Sequence, residues 1–406
     1  MSAPTVTVRL TRSAERLVRL EHPWLYAESI RSASREGDPG DLAVIYGHDR
    51  KLLALGLWDP DSPIRIRVLH RGKPRPVERA FFAERVREAA AQRAELEAQG
   101  TTGFRVVNGE SDLLPGLVLD RYAATFVLKL YTAAWLPHLP ELRAALDERF
   151  APERLVLRLA RAIAGSAAER AGLRDGAILS GPALDAPVAF LENGLRFRCD
   201  PVRGQKTGFF LDQRENRARV GELARGRRVL NAFSYTGGFS LYAARGGADA
   251  VLSLDASRTA LDEARENFAL NEDVPGVARA EHECVCDDAF AALERLAREG
   301  RRFELVVIDP PAFAKSRAEV GSALSAYARL AELGARLLAP RGDLVMASCS
   351  ARVDAGALAG AVGKGTARAG RKLEEWRRTA HAVDHPVRFP EGAYLKCLWL
   401  RDAAPR

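Results

Sequence analysis

The most constraining feature of this chain is the alternation of short apolar runs with helical stretches in its second half. The apolar runs lie at 229–232, 250–254, 305–308 and 344–346, and the clearest helical patterns at 259–270 and 322–338. Strands that alternate with helices in this way form a mostly parallel sheet with helices on both faces. The sequence therefore predicts an α/β fold for residues 191–406, and the Asn193-Gly194 hairpin signal lies near the start of this region.

The first half has a different pattern. Short β-type runs separated by turns lie at 5–10, 42–46, 52–58 and 64–69, and they predict a small β-rich domain over residues 1–75. A proline-containing linker at 72–76 and a helical pattern at 77–99 then open a predicted α+β middle domain over residues 76–190. The chain is expected to have three domains.

Composition narrows the class of partner and the compartment. The formal net charge of the 406 residues is +8, which favours an anionic partner such as RNA, although an arginine surplus also arises from base composition alone. Apolar runs are too short to cross a bilayer, and the first residues lack the apolar core of a signal peptide, so a cytoplasmic protein without membrane contact is expected. The five cysteines are expected to be reduced.

A metal site is not expected. Cys284 and Cys286 alternate with His282 in a strand-like stretch, but a zinc site needs a fourth ligand and wider spacing.

A glycine turn follows the first strand of the α/β region. Glycines let the backbone approach a ligand and let a helix begin beneath it. The pattern is not Gly-x-Gly-x-x-Gly, so it suits a nucleoside cofactor without phosphates better than a dinucleotide; a tight turn without a ligand is the alternative. The candidate cofactor-binding residues of this loop are Phe233, Ser234, Tyr235, Thr236, Gly237 and Gly238.

Carboxylates follow the next two strands. Asp255, followed by Ala256, ends the second strand, where a carboxylate accepts hydrogen bonds from ribose hydroxyls; it could instead cap the following helix. Asp288, followed by Ala289, comes after the third strand and is the candidate for the adenine amino group, with Asp287 as the alternative.

Two further motifs carry the chemistry. Asp309 opens an Asp-Pro-Pro-Ala-Phe run, and Cys349 lies in Ser-Cys-Ser after another strand, so both are expected at the same carboxyl edge of the sheet as the glycine turn. A thiolate that adds to carbon 6 of cytosine makes carbon 5 nucleophilic toward a methyl donor, and an acid at ring nitrogen 3 absorbs the developing charge. Cys349 is the candidate nucleophile and Asp309 the candidate acid; the alternatives are a small buried thiol and a loop turn.

Together with the Gly-Gln-Lys-Thr-Gly-Phe-Phe-Leu-Asp-Gln-Arg run at 204–214, these motifs resemble the large-subunit (23S) ribosomal RNA cytosine-5 methyltransferases of the RlmI type. The resemblance extends over nearly the whole chain, through His22-Pro23-Trp24, Gly56-Leu57-Trp58-Asp59, Asn108-Gly109-Glu110 and Leu114-Pro115-Gly116-Leu117. It implies a PUA domain and a middle domain before a Rossmann-like class I methyltransferase domain.

The resemblance also implies S-adenosylmethionine as cofactor, with the 234–238 loop, Asp255, Asp288 and Asp309 around it, and Cys349 as nucleophile. Other RNA cytosine-5 methyltransferases carry a second cysteine where Pro311 stands here. A two-cysteine mechanism is therefore excluded, and the base that removes the carbon 5 proton is left open.

Several residues are candidates for binding the RNA substrate. Around the target nucleotide they are Lys206, Phe209, Asp212, Pro311 and Phe313. A surface ion pair between Lys206 and Asp212 is the alternative for those two. In the N-terminal domain, Arg65 and Arg67 belong to a candidate phosphate-binding face with Arg71, Lys73 and Arg75, for which a solvated β-face is the alternative. His22 and Trp24 are expected to pack.

The expected function is methylation of carbon 5 of a cytosine in large-subunit ribosomal RNA, and a homodimer is plausible. A ribosomal RNA methyltransferase acting on a guanine nitrogen needs no thiol, so Cys349 discriminates against it. A non-catalytic RNA-binding assembly factor would not need Asp255, Asp309 and Cys349 together. An NAD-dependent oxidoreductase is disfavoured by the glycine pattern.

Overall fold

The computed structural model of the protein describes residues 4–403. By its contacts the chain divides into two compact units. The first comprises the residues up to Gly194, Arg198–Leu211 and Val383–Phe389, and the second comprises Leu195–Phe197, Asp212–Ala382 and the residues from Pro390 onward.

The first unit begins with a six-stranded sheet of order β2-β6-β5-β4-β1-β3. Its elements are β1 (Thr5–Leu10), α1 (Arg12–Arg19), β2 (Trp24–Tyr26), β3 (Ile30–Ala33), β4 (Leu42–Tyr46), β5 (Leu52–Trp58) and β6 (Ile64–Arg71). Strands β1 and β4 pair in parallel, and the other neighbours are antiparallel. The predicted β-rich start of the chain is confirmed.

A five-stranded sheet of order β11-β10-β9-β8-β7 follows in the same unit. Its elements are α2 (Arg79–Ala91), α3 (Ala94–Ala98), β7 (Gly103–Asn108), β8 (Leu117–Tyr122), β9 (Thr125–Leu130), α4 (Leu139–Phe150), β10 (Arg154–Leu159), α5 (Ala164–Ala171) and β11 (Ile178–Ser180). The two sheets share one apolar core, in which Leu57 and Leu69 of the first join Phe82, Leu128 and Trp135 of the second. The predicted boundaries at 75 and 190 stay predictions.

One ion pair lies deep in this unit. Arg93 donates to both carboxylate oxygens of Asp112, at 3.0 and 2.7 Å, and also to the backbone carbonyl of Asp384. The side chains of Arg93 and Asp112 are 1% and 0% exposed. The helix predicted over 77–99 is divided into α2 and α3, and Arg93 stands between them with its side chain turned into the core.

We expect Asp112→Ala to lower the free energy of unfolding by about 3–5 kcal/mol, because it leaves the buried Arg93 charge without its partner. Denaturant unfolding followed by tryptophan fluorescence measures this loss. The control is Glu148→Ala, which removes the partner of Arg79 from a pair whose side chains are more than half exposed and costs less than about 1 kcal/mol. Equal losses in the two variants would contradict the prediction.

Two short strands, β12 (Val188–Glu192) and β13 (Leu195–Cys199), follow. Asn193 and Gly194 between them have φ of 49° and 80°. Positive φ at both central residues is what a type I′ hairpin turn requires, so the Asn-Gly turn predicted here is confirmed.

The second unit contains a seven-stranded sheet of order β16-β15-β14-β17-β18-β20-β19. Its strands are β14 (Arg228–Ala232), β15 (Ala250–Asp255), β16 (Glu281–Cys286), β17 (Phe303–Ile308), β18 (Leu338–Ser348), β19 (Leu373–Thr379) and β20 (Lys396–Asp402). Its helices are α6 (Arg214–Leu223), α7 (Gly238–Arg245), α8 (Arg258–Ala269), α9 (Pro275–Arg279), α10 (Ala289–Arg298), α11 (Val320–Leu337) and α12 (Ala355–Arg368).

Strands β14 to β18 are parallel neighbours, and β20 and β19 are added antiparallel. The parallel strands at the centre are covered by helices and are buried on both faces, which explains their nearly continuous apolar runs. The predicted α/β class, with a mostly parallel sheet, is confirmed. No helix among residues 4–403 is long and apolar enough to cross a membrane.

Candidate active site

The ends of β14, β15, β16, β17 and β18 lie at one edge of the second unit's sheet, because these strands are parallel. The glycine turn follows β14, and its backbone is unusual. Phe233, Tyr235 and Gly237 have φ of 61°, 48° and 76°. Left-handed conformations at two non-glycine residues are costly, and such strain concentrates at binding sites.

Two hydroxyl groups in this loop are buried without a hydrogen-bond partner among the described residues. They are Oγ of Ser234 and Oγ1 of Thr236, on side chains of residues 5% and 2% exposed. A buried hydroxyl without a partner costs free energy, so its presence calls for an explanation. A polar ligand in the loop would satisfy both groups, and the residues present therefore fit a nucleoside cofactor.

Asp255 secures the loop from the neighbouring strand. One carboxylate oxygen accepts from the backbone N–H of Tyr235 at 2.8 Å, and the other accepts from the N–H of Ser257 at 2.9 Å. The alternative that Asp255 caps the following helix is wrong, because the cap of α8 is Ser257, whose hydroxyl accepts from the Ala260 N–H. Each carboxylate oxygen has a second lone pair for ribose hydroxyls.

Asp287 and Asp288 differ in their hydrogen-bond partners. The Arg295 guanidinium bonds to Asp287 and holds the pKa of that carboxyl below its usual value. Asp288 is exposed, and one of its oxygens accepts from the Ala291 N–H at the start of α10. Since Asp287 is held by an ion pair, Asp288 remains the better candidate for the adenine amino group.

We expect Gly237→Ala to weaken cofactor binding about 5- to 30-fold, since a non-glycine residue at this φ costs roughly 1–2 kcal/mol. The added Cβ would also lie 2.9 Å from Cβ of Ala264, so the loop must shift. Calorimetry with S-adenosylmethionine measures the change. Gly363→Ala on α12 is the control, because no atom lies within 4 Å of the Cβ it adds. Unchanged affinity in Gly237→Ala would contradict the role of the loop.

Asp309 follows β17, and its carboxylate is oriented by a buried amide. Gln213, which is 3% exposed, donates from Nε2 to Oδ2 of Asp309 at 2.9 Å. Oε1 of Gln213 accepts from Asn216 at 2.6 Å, and Asn216 in turn accepts from the Thr379 hydroxyl at 2.6 Å. The sequence prediction missed this chain of contacts, although Gln213 stands in the run that carries the resemblance.

Cys349 follows β18 in a turn in which the serines on both sides of it are hydrogen-bonded. The Tyr327 hydroxyl lies 2.8 Å from the hydroxyl of Ser348 and 3.1 Å from that of Ser350, and both serines are fully buried. Cys349 between them is half-buried. Burial raises the pKa of Tyr327, and the acidic groups of Cys349 and Asp309 add to this rise. Cys349 and Asp309 follow the neighbouring parallel strands β18 and β17.

Cys284 and Cys286 are half-buried like Cys349, whereas the other two cysteines are buried. Cys397 on β20 is fully buried, and burial raises the pKa of its thiol well above the usual value. Cys199 is also buried. His282 stacks on Phe268, and burial lowers the pKa of its ring to about 4. Among residues 4–403, no group of three or more potential ligands could hold a metal ion.

The candidate substrate-binding residues differ in how far their side chains are buried. Asp212 is 2% exposed and accepts from the Tyr394 hydroxyl at 2.7 Å, so its carboxylate does not lie at the surface. Pro311 is exposed, and the half-buried Phe313 packs edge-on against Tyr327. In the first unit, Phe209 is buried against Phe190. Burial of Phe209 favours packing over base stacking.

Lys206, also in the first unit, places its ammonium 4.4 Å from the ring centroid of Phe210. Its predicted role in substrate binding, like that of Phe313, stays a prediction.

The predicted phosphate-binding face of the first unit needs correction. Arg67 is 6% exposed and donates to the Ile64 carbonyl, and burial lowers its pKa. A guanidinium packed this deeply holds the fold together and does not present to RNA. Arg65 is half-buried and donates to the Pro60 carbonyl.

Two other arginines of the predicted phosphate-binding face also form hydrogen bonds to groups of the protein itself. Arg71 donates to the Glu21 and His22 carbonyls, and Arg75 binds both oxygens of Glu84. Trp24 packs against Phe389, as expected.

Comparison with known proteins decides the family. The S-adenosylmethionine-dependent methyltransferase family model matches residues 169–400, and a PUA-like domain model matches residues 8–71. A ribosomal RNA large subunit methyltransferase from Deinococcus radiodurans is 49% identical over 405 residues, covering 98% of each chain. The chain belongs to this methyltransferase family.

A second member of the family, the ribosomal RNA large subunit methyltransferase I of Aeromonas salmonicida, is 36% identical over 98% of this chain and 99% of its own. Among solved structures, a methyltransferase complexed with SAH superposes with a TM-score of 0.82 over 98% of this chain and 100% of that one, at 21% identity. An S-adenosylmethionine-dependent methyltransferase from Streptococcus mutans gives 0.81 over 97% and 99%, also at 21% identity. The PUA-like domain, the class I fold and the cofactor predicted for the family are confirmed.

Proposed function

We propose that this chain methylates carbon 5 of a cytosine in large-subunit ribosomal RNA through a covalent adduct of Cys349. The names of the family members support ribosomal RNA of the large subunit as the substrate. The observation that carries the choice of carbon 5 is the position of Cys349. Its half-buried thiol follows β18, and Asp309 follows the neighbouring parallel strand β17, at the sheet edge that also holds the glycine loop.

The proposed reaction begins when the Cys349 thiolate adds to carbon 6 of the cytosine and forms a sulfur–carbon bond. Asp309, in its protonated form, delivers a proton to ring nitrogen 3, so that the electron pair displaced by the thiolate makes carbon 5 nucleophilic. S-adenosylmethionine would supply an electrophilic sulfonium methyl group, which carbon 5 takes as the bond between sulfur and methyl breaks. Loss of the carbon 5 proton to a base then re-forms the double bond and expels the thiolate, and nitrogen 3 returns its proton to Asp309.

The residues that would hold the cofactor are the 233–238 loop, Asp255 with Ala256, Asp288 with Ala289, and Asp309. Ser234 and Thr236 support this proposal most directly, because their buried hydroxyls would gain partners. Pro311 and Phe313 follow Asp309 in the chain, and we propose that they line the pocket of an extruded base.

Mapping 5-methylcytosine in ribosomal RNA from cells that lack this protein tests the proposal. We expect one cytosine of the large-subunit RNA to lose its methyl group and to regain it when the wild-type gene is restored. Loss of a guanine methyl group instead would favour the guanine-nitrogen alternative. An unchanged methylation map would favour the assembly factor.

A further inference from the structure

Lys396 is an unusually buried lysine beside the Ser-Cys-Ser turn. It opens β20 and pairs with Ser348, the last residue of β18, in the antiparallel ladder. The residue is only 7% exposed. Lysine is almost never fully buried without partners, because its ammonium group must be compensated for the loss of water.

The ammonium of Lys396 is fixed by two backbone carbonyls. Nζ donates to the carbonyl of Ser350 at 2.7 Å and to that of Tyr394 at 2.9 Å. Ser350 is the residue directly after Cys349, and its hydroxyl is bonded to Tyr327. Lys396 therefore holds the turn from the side of β20, while Tyr327 holds it from α11.

The ammonium of Lys396 is also close to Cys349, because one carbonyl that it binds belongs to the next residue, Ser350. Burial lowers the pKa of Lys396, and the acidic groups of Cys349 and Asp354 oppose that decrease. Such an interaction is reciprocal. If the thiolate stabilises the ammonium, the ammonium stabilises the thiolate by the same free energy. The other titratable groups near Cys349 are Asp309 and Tyr327. Of these five groups Lys396 is the cation, whereas the carboxylates of Asp309 and Asp354 disfavour a thiolate at Cys349.

We propose that Lys396 is a positioning residue that fixes the Ser348–Ser350 turn through a backbone carbonyl and stabilises the thiolate of Cys349. This inference rests on the proposed function, in which the Cys349 thiolate adds to carbon 6. A purely structural lysine would hold the turn equally well but would leave the ionisation of Cys349 unchanged. The pH dependence of thiol reactivity therefore separates the two roles.

The test is alkylation of the folded full-length chain by iodoacetamide across a range of pH, with Cys349 resolved from the other cysteines by peptide mass spectrometry. In the wild type we expect the midpoint of Cys349 alkylation to fall below about 8.5, the value of an ordinary thiol. Lys396→Met should raise the midpoint by about one unit and slow alkylation at pH 7 about tenfold. Lys396→Arg, which keeps the charge, should stay nearer the wild type.

Lys364→Met is the matched control, because Lys364 is an exposed lysine of α12 and its removal should leave the profile unchanged. A wild-type midpoint at or above about 8.5 would overturn the inference without any variant. So would a Lys396→Met protein that keeps its unfolding transition and alkylates at the wild-type rate.

The same chains distinguish failure of the inference from failure of the proposed function. If Lys396→Met shifts the alkylation profile but Cys349→Ala still methylates RNA, the stabilised thiolate stands and the covalent mechanism fails. If Cys349→Ala is inactive but Lys396→Met alkylates normally, the covalent mechanism stands and the role of Lys396 fails.

Discussion

Cys349→Ala is expected to bind S-adenosylmethionine as the wild type does and to lose methylation of ribosomal RNA by on the order of 10⁴-fold or more. The reason is that carbon 5 of cytosine is too weak a nucleophile until a thiolate has added at carbon 6. The alanine should fit without strain, since Cys349 is only half-buried. Transfer of labelled methyl groups to undermethylated RNA measures the rate, and calorimetry measures cofactor binding.

Covalent trapping of the enzyme on a modified RNA tests the role of Cys349 directly. RNA with 5-fluorocytidine at the target has no carbon 5 proton to lose, so the wild-type protein should form an adduct that survives denaturing electrophoresis. Cys349→Ala should form none. Cys284→Ala is the matched control, because Cys284 is also a half-buried thiol and should keep both activity and adduct. Full methylation by Cys349→Ala would instead favour transfer to a guanine nitrogen.

Asp309→Asn is expected to lower kcat about 10²- to 10⁴-fold, because the amide cannot transfer a proton to ring nitrogen 3. The side chain keeps its size and an oxygen that can accept from Gln213. Single-turnover methylation separates this chemical step from binding. Since Asp309 is also a candidate cofactor contact, the cofactor affinity of the variant is measured alongside, and a loss confined to affinity would contradict the assignment as acid.

Gln213→Leu should give a smaller loss in kcat, about 10- to 100-fold, because it removes a hydrogen bond to the carboxylate worth roughly 1.5–3 kcal/mol. Gln213 orients Asp309 without reaching the ring, so the loss should be nearly absent when Asp309 is already asparagine. Independent, additive losses in the double variant would show that Gln213 acts elsewhere.

Secondary structure in the second unit could be predicted closely, and the reason is physical. A strand buried on both faces of a parallel sheet needs a continuous apolar run, and the run at 305–308 lies within β17 (Phe303–Ile308). Strand β19 lacks this signal, because it lies at the edge of the sheet and its side chains are mostly exposed. Its sequence, Leu-Glu-Glu-Trp-Arg-Arg-Thr, is polar, and no strand was predicted there.

Side-chain partners were much less predictable. Arg67 stands between isoleucine and valine in a strand of alternating polar and apolar residues, a pattern that predicts an exposed side chain. In the structure Arg67 is buried. Gln213 and Lys396 carry no local sign of their roles. Their partners are side chains and carbonyls brought close by sheet topology, and periodicity along the chain does not report such contacts.

The sequence by itself indicated the succession of the parallel strands along the chain and the candidate group that follows each of them. This is because parallel strands must end at one edge, so the glycine loop, Asp255, Asp309 and Cys349 had to emerge there together. Only the tertiary structure decided which groups act on them. Gln213 reaches Asp309 across 96 positions of the chain, and Lys396 reaches the turn of Cys349 across 46, because folding brings α6 and β20 beside that edge.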